Sequence, residues 1–314
     1  MVDQADRLVD GRVTIVVPAK NEGSWVRTTV QNVLQAHDEL VAEIVVVDDG
    51  STDGSCAGLE ELGKEIPVRV IRTEGVGAAR ARNMGAAGAT GEYLAFIDAH
   101  SRPEPGWLRE ICDVLDMGHA GAVPWVHWFE PGDDTVATIR VMARWFLDGS
   151  SGYQMGAWPA EKGGVVPMGV GGCQAFNRLA FEVIGGYSEE LPFGGEDSEI
   201  CLRVWSRGGT LGAAPGATIW TLQKFWDDRP DKDDIEQTVR VGVVKAVVLH
   251  WSAHRLATMW ALLAREWSDW PDIFSMVWEG CHEPGVMELR KRYRAEAVRS
   301  DDEVFAIFPE LQLS

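Results

Sequence analysis

The sequence predicts an α/β protein: a mainly parallel, Rossmann-like sheet flanked by helices, followed by a helical C-terminal extension. Three observations predict it. Short β-rich apolar runs alternate with helix-period segments through about residue 125, the pattern of βαβ units. The polar residues with chemical potential sit at the carboxyl ends of those runs, where open α/β sheets bind ligands. Residues 235–297 then lose the β-rich runs and read as largely helical.

The elements follow in order. "VTIVVPA" (13–19) is the first strand. "SWVRTTVQNVLQA" (24–36) spaces Trp25, Val26, Val30, Val33 and Leu34 as one helical face, with Ser24 as its cap. "EIVVVDDGS" (43–51) is a second buried strand, and a helix is expected over Asp53–Leu62. "PVRVIRT" (67–73) is the third strand, "GAARARNMGAAGA" (77–89) a helix and "EYLAFID" (92–98) the fourth strand. A helix near 106–117 and the apolar run "AGAVPWV" complete this part. Beyond it, 169–187 reads as a strand followed by a helix. The stretch 194–209 reads as a helix with Ile200, Cys201, Val204 and Trp205 on one face. Glu199 and Arg203 lie on its other face at i,i+4. "DDRPDKDD" (227–234) reads as a solvated linker, which divides the chain into 1–225 and 226–314.

Composition narrows the function. The chain has 314 residues, 46% of them hydrophobic, enough for a sizeable core. Its net charge of −19 repels phosphate backbones and excludes general nucleic-acid binding. It also disfavours docking on anionic lipid through a basic patch. A phosphorylated small molecule would need a cation, or arginines aimed at the site. Cys56, Cys112, Cys173, Cys201 and Cys281 form no C-x-x-C pair and read as reduced thiols of a cytoplasmic protein. The N-terminus does not read as a signal peptide. Val241–Ala264 is apolar but carries Lys245, His250, His254 and Arg255, so no transmembrane segment is expected. It reads as a buried or amphipathic helix, compatible with a peripheral association with the membrane.

Four motifs carry chemistry. In "VVVDDGSTD", Asp48 and Asp49 can cap a turn, with Ser51 or Asp53 capping the next helix. Equally, one Asp can accept from a nucleobase N–H or ribose hydroxyls. "TEGVGAARARN" has Gly75-x-Gly77 but Arg80 where a third glycine of a dinucleotide loop would stand. Arg80 and Arg82 there are either a solvated helix face or cations for phosphates. Asp98 and His100, two apart at a strand end, point to the same side. They are either a polar turn or a pair suited to a borderline divalent ion such as Mn²⁺, which could bridge two phosphates. "GGEDSE" places Glu196 and Asp197 at a helix start, as complements to the helix dipole or as a general base.

The order of these motifs resembles the GT-A glycosyltransferases of family 2. The residues are Pro18-Ala19-Lys20-Asn21-Glu22, Asp48-Asp49-Gly50-Ser51, Ala81-Arg82-Asn83-Met84-Gly85, Asp98-Ala99-His100, Gly171-Gly172 and Gly194-Gly195-Glu196-Asp197. The resemblance covers about residues 12–225. It implies a nucleotide-sugar half, about 12–125, and an acceptor half, about 126–225. It further implies that Pro18 and Glu22 frame the base and ribose, that Asp49 binds the base, and that Arg82 sits near the diphosphate. Asp98 would hold the ribose side and, with His100, the metal, Mn²⁺ or Mg²⁺. Asp197 would be the base of an inverting transfer from a UDP-sugar to an acceptor hydroxyl.

"DAHSRPEPGWL" and "GGEDSEICLRVWSRGGTL" look like the polypeptide N-acetylgalactosaminyltransferases. Those enzymes also use D-x-H with Mn²⁺, but carry Asn where this chain has Asp197. Their third metal ligand, a histidine, falls near Thr221 here, which leaves His250 or His254 as candidates to complete the site. The short chain, read without anchor or lectin module, suggests a small-molecule, glycan or lipid-linked acceptor, with pocket walls from the Trp-rich segment 125–165 and the C-terminal helices. The alternatives are a retaining transfer on the same fold, a sugar-nucleotide-forming nucleotidyltransferase, and a catalytically weak nucleotide-sugar-binding protein.

Overall fold

A computed structural model describes residues 11–36, 39–130, 133–137, 160–191, 193–222 and 232–308. One nine-stranded sheet runs through it in the order β3-β2-β1-β4-β8-β6-β9-β5, with β7 paired to β6. The strands are β1 (Val13–Ala19), β2 (Val41–Asp48), β3 (Val68–Arg72), β4 (Tyr93–Ile97), β5 (Ser101–Pro103), β6 (Gly121–Glu130), β7 (Asp133–Ala137), β8 (Cys173–Asn177) and β9 (Leu211–Leu222). β3, β2, β1 and β4 pair in parallel. The apolar runs of β1, β2 and β4 are buried almost throughout, as inner parallel strands require, while β3 at the sheet edge is largely half-buried. The predicted parallel sheet is therefore this half. The other half is mixed: β8 is antiparallel to both β4 and β6, and β6 is parallel to β9.

Helices cover the sheet. They are α1 (Trp25–Gln35), α2 (Ala78–Ala86), α3 (Trp107–Asp116), α4 (Arg178–Ile184) and α5 (Glu196–Ser206). The C-terminal layer comprises α6 (Lys232–His250), α7 (Ala253–Glu266), α8 (Pro271–Cys281), α9 (Pro284–Ala295) and α10 (Asp301–Ile307). α2 packs tightly because Gly85 faces Val16, where a Cβ would lie 2.3 Å from Val16 Cγ1.

Four local expectations change. The helix expected over Asp53–Leu62 is a run of turns ending in one 3-10 turn, Glu60–Leu62. Gly54 and Gly58 take positive φ there, +73° and +66°, and break any helix. Ser24 stands before α1 in a helical conformation and makes no side-chain cap bond. The expected linker 227–234 is already helical from Lys232, and the division near 225 lies outside the described residues. Val241–Ala264 is two helices, since Ser252 breaks the run and caps α7 at the N–H of Arg255. Among the described residues no helix is long and apolar enough to cross a membrane. The Glu199/Arg203 pair expected at i,i+4 on the other face of α5 is present, at 2.7 Å. Both residues are buried, because α6 and α9 cover that face. Of the Trp-rich segment, 131–132 and 138–159 lie outside the described residues.

Candidate functional site

Three strand ends converge at the carboxyl edge of the parallel half. After β1 the chain turns through Asn21, the one non-glycine residue with positive φ among the described residues (φ +54°). The loop after β2 braces it. Asn21 N–H donates to Ser51 Oγ at 3.0 Å, Thr52 N–H donates to Asn21 Oδ1 at 2.8 Å, and Gly23 N–H donates to Asp53 Oδ2 at 3.0 Å. Asp48 Oδ1 accepts from Ser51 N–H. Asp48, Ser51 and Asp53 therefore build loops, and Asp53 caps no helix. Pro18, next to last in β1, stands opposite Val47 in the register.

Asp49 is buried and holds the Gly75–Gly77 turn. Oδ1 accepts from Thr73 Oγ1–H and Val76 N–H, both at 2.6 Å, and Oδ2 accepts from Gly77 N–H at 3.0 Å. Burial pushes its pKa up, but those hydrogen bonds outweigh burial and hold it below the usual carboxylate range. A carboxylate offers about four acceptor directions, and these bonds use three of them.

Beyond β4, where the chain leaves the extended conformation in a turn before β5, Asp98 and His100 stand together, with His100 Nε2 3.8 Å from Asp98 Oδ2. The other ring nitrogen, Nδ1, lies 3.0 Å from Glu22 Oε2. Arg82 reaches in from α2. Nη1 donates to Glu196 Oε1 at 2.7 Å, Nη2 lies 3.9 Å from Asp98 Oδ1, and the guanidinium covers the Tyr187 ring. Arg82 is buried and already paired, so it ties carboxylates together where the motif suggested a phosphate ligand. Arg80 is exposed and faces Glu189.

Glu196 Oε2 accepts from the N–H groups of Gly194 and Gly195, closing the turn into α5. Asp197 is half-buried. Its Oδ2 accepts from Gly171 N–H at 2.9 Å and its Oδ1 from Ser198 N–H at 2.7 Å. Burial first, and the neighbouring Glu196 second, push its pKa up to about 6, against the pull of Arg82 and the two N–H groups. Gly171 and Gly172 form the floor. A Cβ on Gly171 would lie 3.3 Å from Asp197 Oδ2, and one on Gly172 would lie 3.7 Å from Asp98 Oδ2. Thr221 Cγ2 would be 3.6 Å from the same Gly172 Cβ, so Thr221 stands beside Asp98.

His250 is elsewhere. Its Nε2 is 2.9 Å from Glu199 Oε1, its ring stacks on Tyr293, and burial disfavours its charged form. His254 is exposed on the first turn of α7. Among the described residues no group of three or more His, Cys, Asp or Glu side chains is arranged to hold a metal ion. Neither histidine therefore completes the Asp98–His100 pair. Sequence reasoning also missed Gln174 and Tyr187. Tyr187 O–H donates to Gln174 Oε1, and Gln174 Nε2 donates to the carbonyls of Gly169 and Asp197. Their signal was only an amide in an apolar strand, "CQAFN", and a tyrosine after Gly-Gly.

The family model of glycosyl transferase family 2 matches residues 14–185, more than half of the chain and all three strand ends. The chain belongs to glycosyl transferase family 2. A second model, described as the N-terminal domain of galactosyltransferase, matches residues 166–224 of this family 2 chain. Polypeptide N-acetylgalactosaminyltransferase 10 of Rattus norvegicus and of Homo sapiens are each 33% identical over 221 residues. Those matches cover 66% of this chain and 37% of the relatives, so the chain spans little more than a third of their length. Among solved structures, GalNAc-T7 with UDP, GalNAc and Mn²⁺ superposes with TM-score 0.73 at 21% identity, over 95% of this chain and 56% of that one. S. aureus TarS 1–349 with UDP-GlcNAc gives 0.54 at 13% identity, over 91% and 84%. The fold is thus the GT-A fold.

Proposed function

We propose that this chain transfers a sugar from a UDP-sugar to an acceptor hydroxyl with the help of a divalent cation, Mn²⁺ by preference. One observation carries the reading. Arg82 joins Asp98, which stands beside His100, to Glu196, whose chain neighbour Asp197 has a raised pKa. A general base for a hydroxyl needs a pKa near the working pH, and Asp197 has been moved in that direction.

The donor set fits a cation. Glu22, Asp98, Glu196 and Asp197 gather around Arg82 and His100, four carboxyl groups to one guanidinium and one imidazole, a cluster that disfavours a bare diphosphate. Asp98 and His100 are the residues that would hold the ion, and carboxylate plus imidazole suits a borderline metal. When bound, the cation supplies the positive charge that a diphosphate leaving group needs. The chain's own residues do the rest. The remaining acceptor direction of Asp49 would take the base N–H. Gly171 and Gly172 keep the floor free of side-chain bulk between the two carboxylates. In the inverting reading, the acceptor oxygen attacks the anomeric carbon as its proton passes to Asp197. The bond from that carbon to the β-phosphate oxygen breaks, and UDP leaves with the electron pair.

A retaining transfer is the second reading, favoured by the Asp98-x-His100 pair shared with the N-acetylgalactosaminyltransferases. The relatives' name also makes a polypeptide hydroxyl the acceptor class to test beside small molecules, glycans and lipid-linked acceptors. A thermal-shift screen of UDP-, GDP- and dTDP-sugars, with and without Mn²⁺, tests donor and metal together by mass action. UDP-sugars with Mn²⁺ are expected to shift the melt most. NMR of the product's anomeric proton then decides stereochemistry: an α-product from an α-donor overturns inversion. UDP binding with neither transfer nor hydrolysis would leave a binding protein.

A further inference from the structure

We infer that Glu22 is a positioning residue for His100, fixing the ring so that Nε2 is free to bind a cation beside Asp98. The inference deepens the proposed metal-dependent function and rests on it. It replaces the sequence expectation that Glu22 frames the base or ribose.

Geometry makes the case in three steps. Glu22 Oε2 sits 3.0 Å from His100 Nδ1, and the Glu22 side chain is only 9% exposed. A carboxylate can only accept, so Nδ1 carries the proton, and in the neutral form of the ring the lone pair is then on Nε2. Nε2 is the nitrogen that lies on the Asp98 side. A ligating histidine whose second nitrogen donates to a carboxylate is the arrangement that orients metal-bound imidazoles.

The backbone shows that this placement is built. Asn21, directly before Glu22, holds φ +54°, which costs about 1 kcal/mol or more for a side chain other than glycine. Three hydrogen bonds from the loop after β2 stabilise it, through Ser51, Thr52 and Asp53. That strained turn swings Glu22 inward to His100. The second strand-end loop therefore serves the metal pair, although it touches neither Asp98 nor His100 through those bonds.

The test uses the whole chain, UDP and Mn²⁺. The first readout is the ¹⁵N NMR tautomer of His100 in metal-free protein, assigned by comparison with His100→Ala. The native chain should show Nδ1–H, and Glu22→Ala should lose that fixed tautomer. The second readout is Mn²⁺ affinity by EPR in saturating UDP. Glu22→Ala should weaken it by about 10- to 100-fold, with metal-free UDP binding unchanged. Glu22→Gln, whose carbonyl can still accept from Nδ1–H, should fall between the two. Asn21→Ala should shift both readouts towards Glu22→Ala without removing any group at the metal pair. If Glu22→Ala keeps the Mn²⁺ affinity but weakens metal-free UDP binding, Glu22 is a nucleotide ligand and the inference is overturned. If the native chain binds UDP equally with and without Mn²⁺, the metal reading fails. The tautomer comparison then still decides whether Glu22 sets the His100 ring.

Discussion

Asp197 is the residue on which the proposed chemistry turns. Burial and Glu196 raise its pKa to about 6, so it is the base form above that pH and the acid below. A base must be deprotonated, so transfer should be present above about pH 6 and lost as the pH falls through it. A rate profile from pH 4 to 9 checks this, and Asp197→Asn should remove the acid limb along with roughly 10²- to 10⁴-fold of the rate. UDP binding should survive that substitution. Arg82 is coupled to the same titration. Arg82→Met leaves Asp98, Glu196 and Asp197 without their cation and should cost about 3–5 kcal/mol in denaturant unfolding. Because a positive charge favours the ionised carboxylate, its loss should also move any remaining acid limb to higher pH. At this scale the sequence was informative where one residue's type sufficed. Asp98, His100 and Asp197 come together as their motifs suggested. The tasks of Arg82, Glu22, Gln174 and Tyr187 were hidden, because each has a partner at least 13 positions away. No local pattern encodes such a partner.

At the scale of elements, the turn into α5 depends on a helix outside the family 2 match. Gly195 lies against Gly242 of α6 so closely that a Cβ on Gly195 would be 2.3 Å from the carbonyl carbon and oxygen of Gly242. That contact is backbone to backbone, so no flexible side chain can yield. Gly195→Ala must push the turn and α6 apart, and overpacking of this kind costs about 1–3 kcal/mol. Since the turn carries Glu196 and Asp197, the turnover rate should fall while UDP affinity holds. Thermal melts with paired kcat and UDP-binding measurements on Gly195→Ala check this. An unchanged kcat would mean that α6 does not set the base. The α5 helix itself was plain in the sequence, because its apolar face has helical spacing. Its second face pairs Glu199 with Arg203 as the spacing implies, but the cover over that pair, His250 and Tyr293, comes from distant segments that no local pattern encodes. The helix after β2 fails for a local reason, since Gly54 and Gly58 take positive φ and stop it.

At the scale of the whole molecule, the division at 225 separates segments that share one core. The same buried cluster contains Ile15, Phe96 and Phe176 from the sheet and Val247, Met259, Leu263 and Val277 from the C-terminal helices. Polar ties cross the division as well. Glu199 of α5 bonds His250 of α6, and the Arg299 guanidinium donates to the carbonyls of Trp205 and Gly209 behind α5. Trp205 packs edge-on against Phe308 at 5.1 Å. A chain ending at residue 225 would expose the apolar partners of these groups and leave Glu199 and Arg203 without their cover. Residues 1–225 alone should therefore give a poorly dispersed NMR spectrum and no cooperative melt. The full chain should unfold in one transition whose midpoint rises with UDP and Mn²⁺ together. If 1–225 instead folds and binds UDP like the full chain, α6 to α10 are an appended layer. The Gly195–Gly242 contact would then be incidental to the position of Asp197.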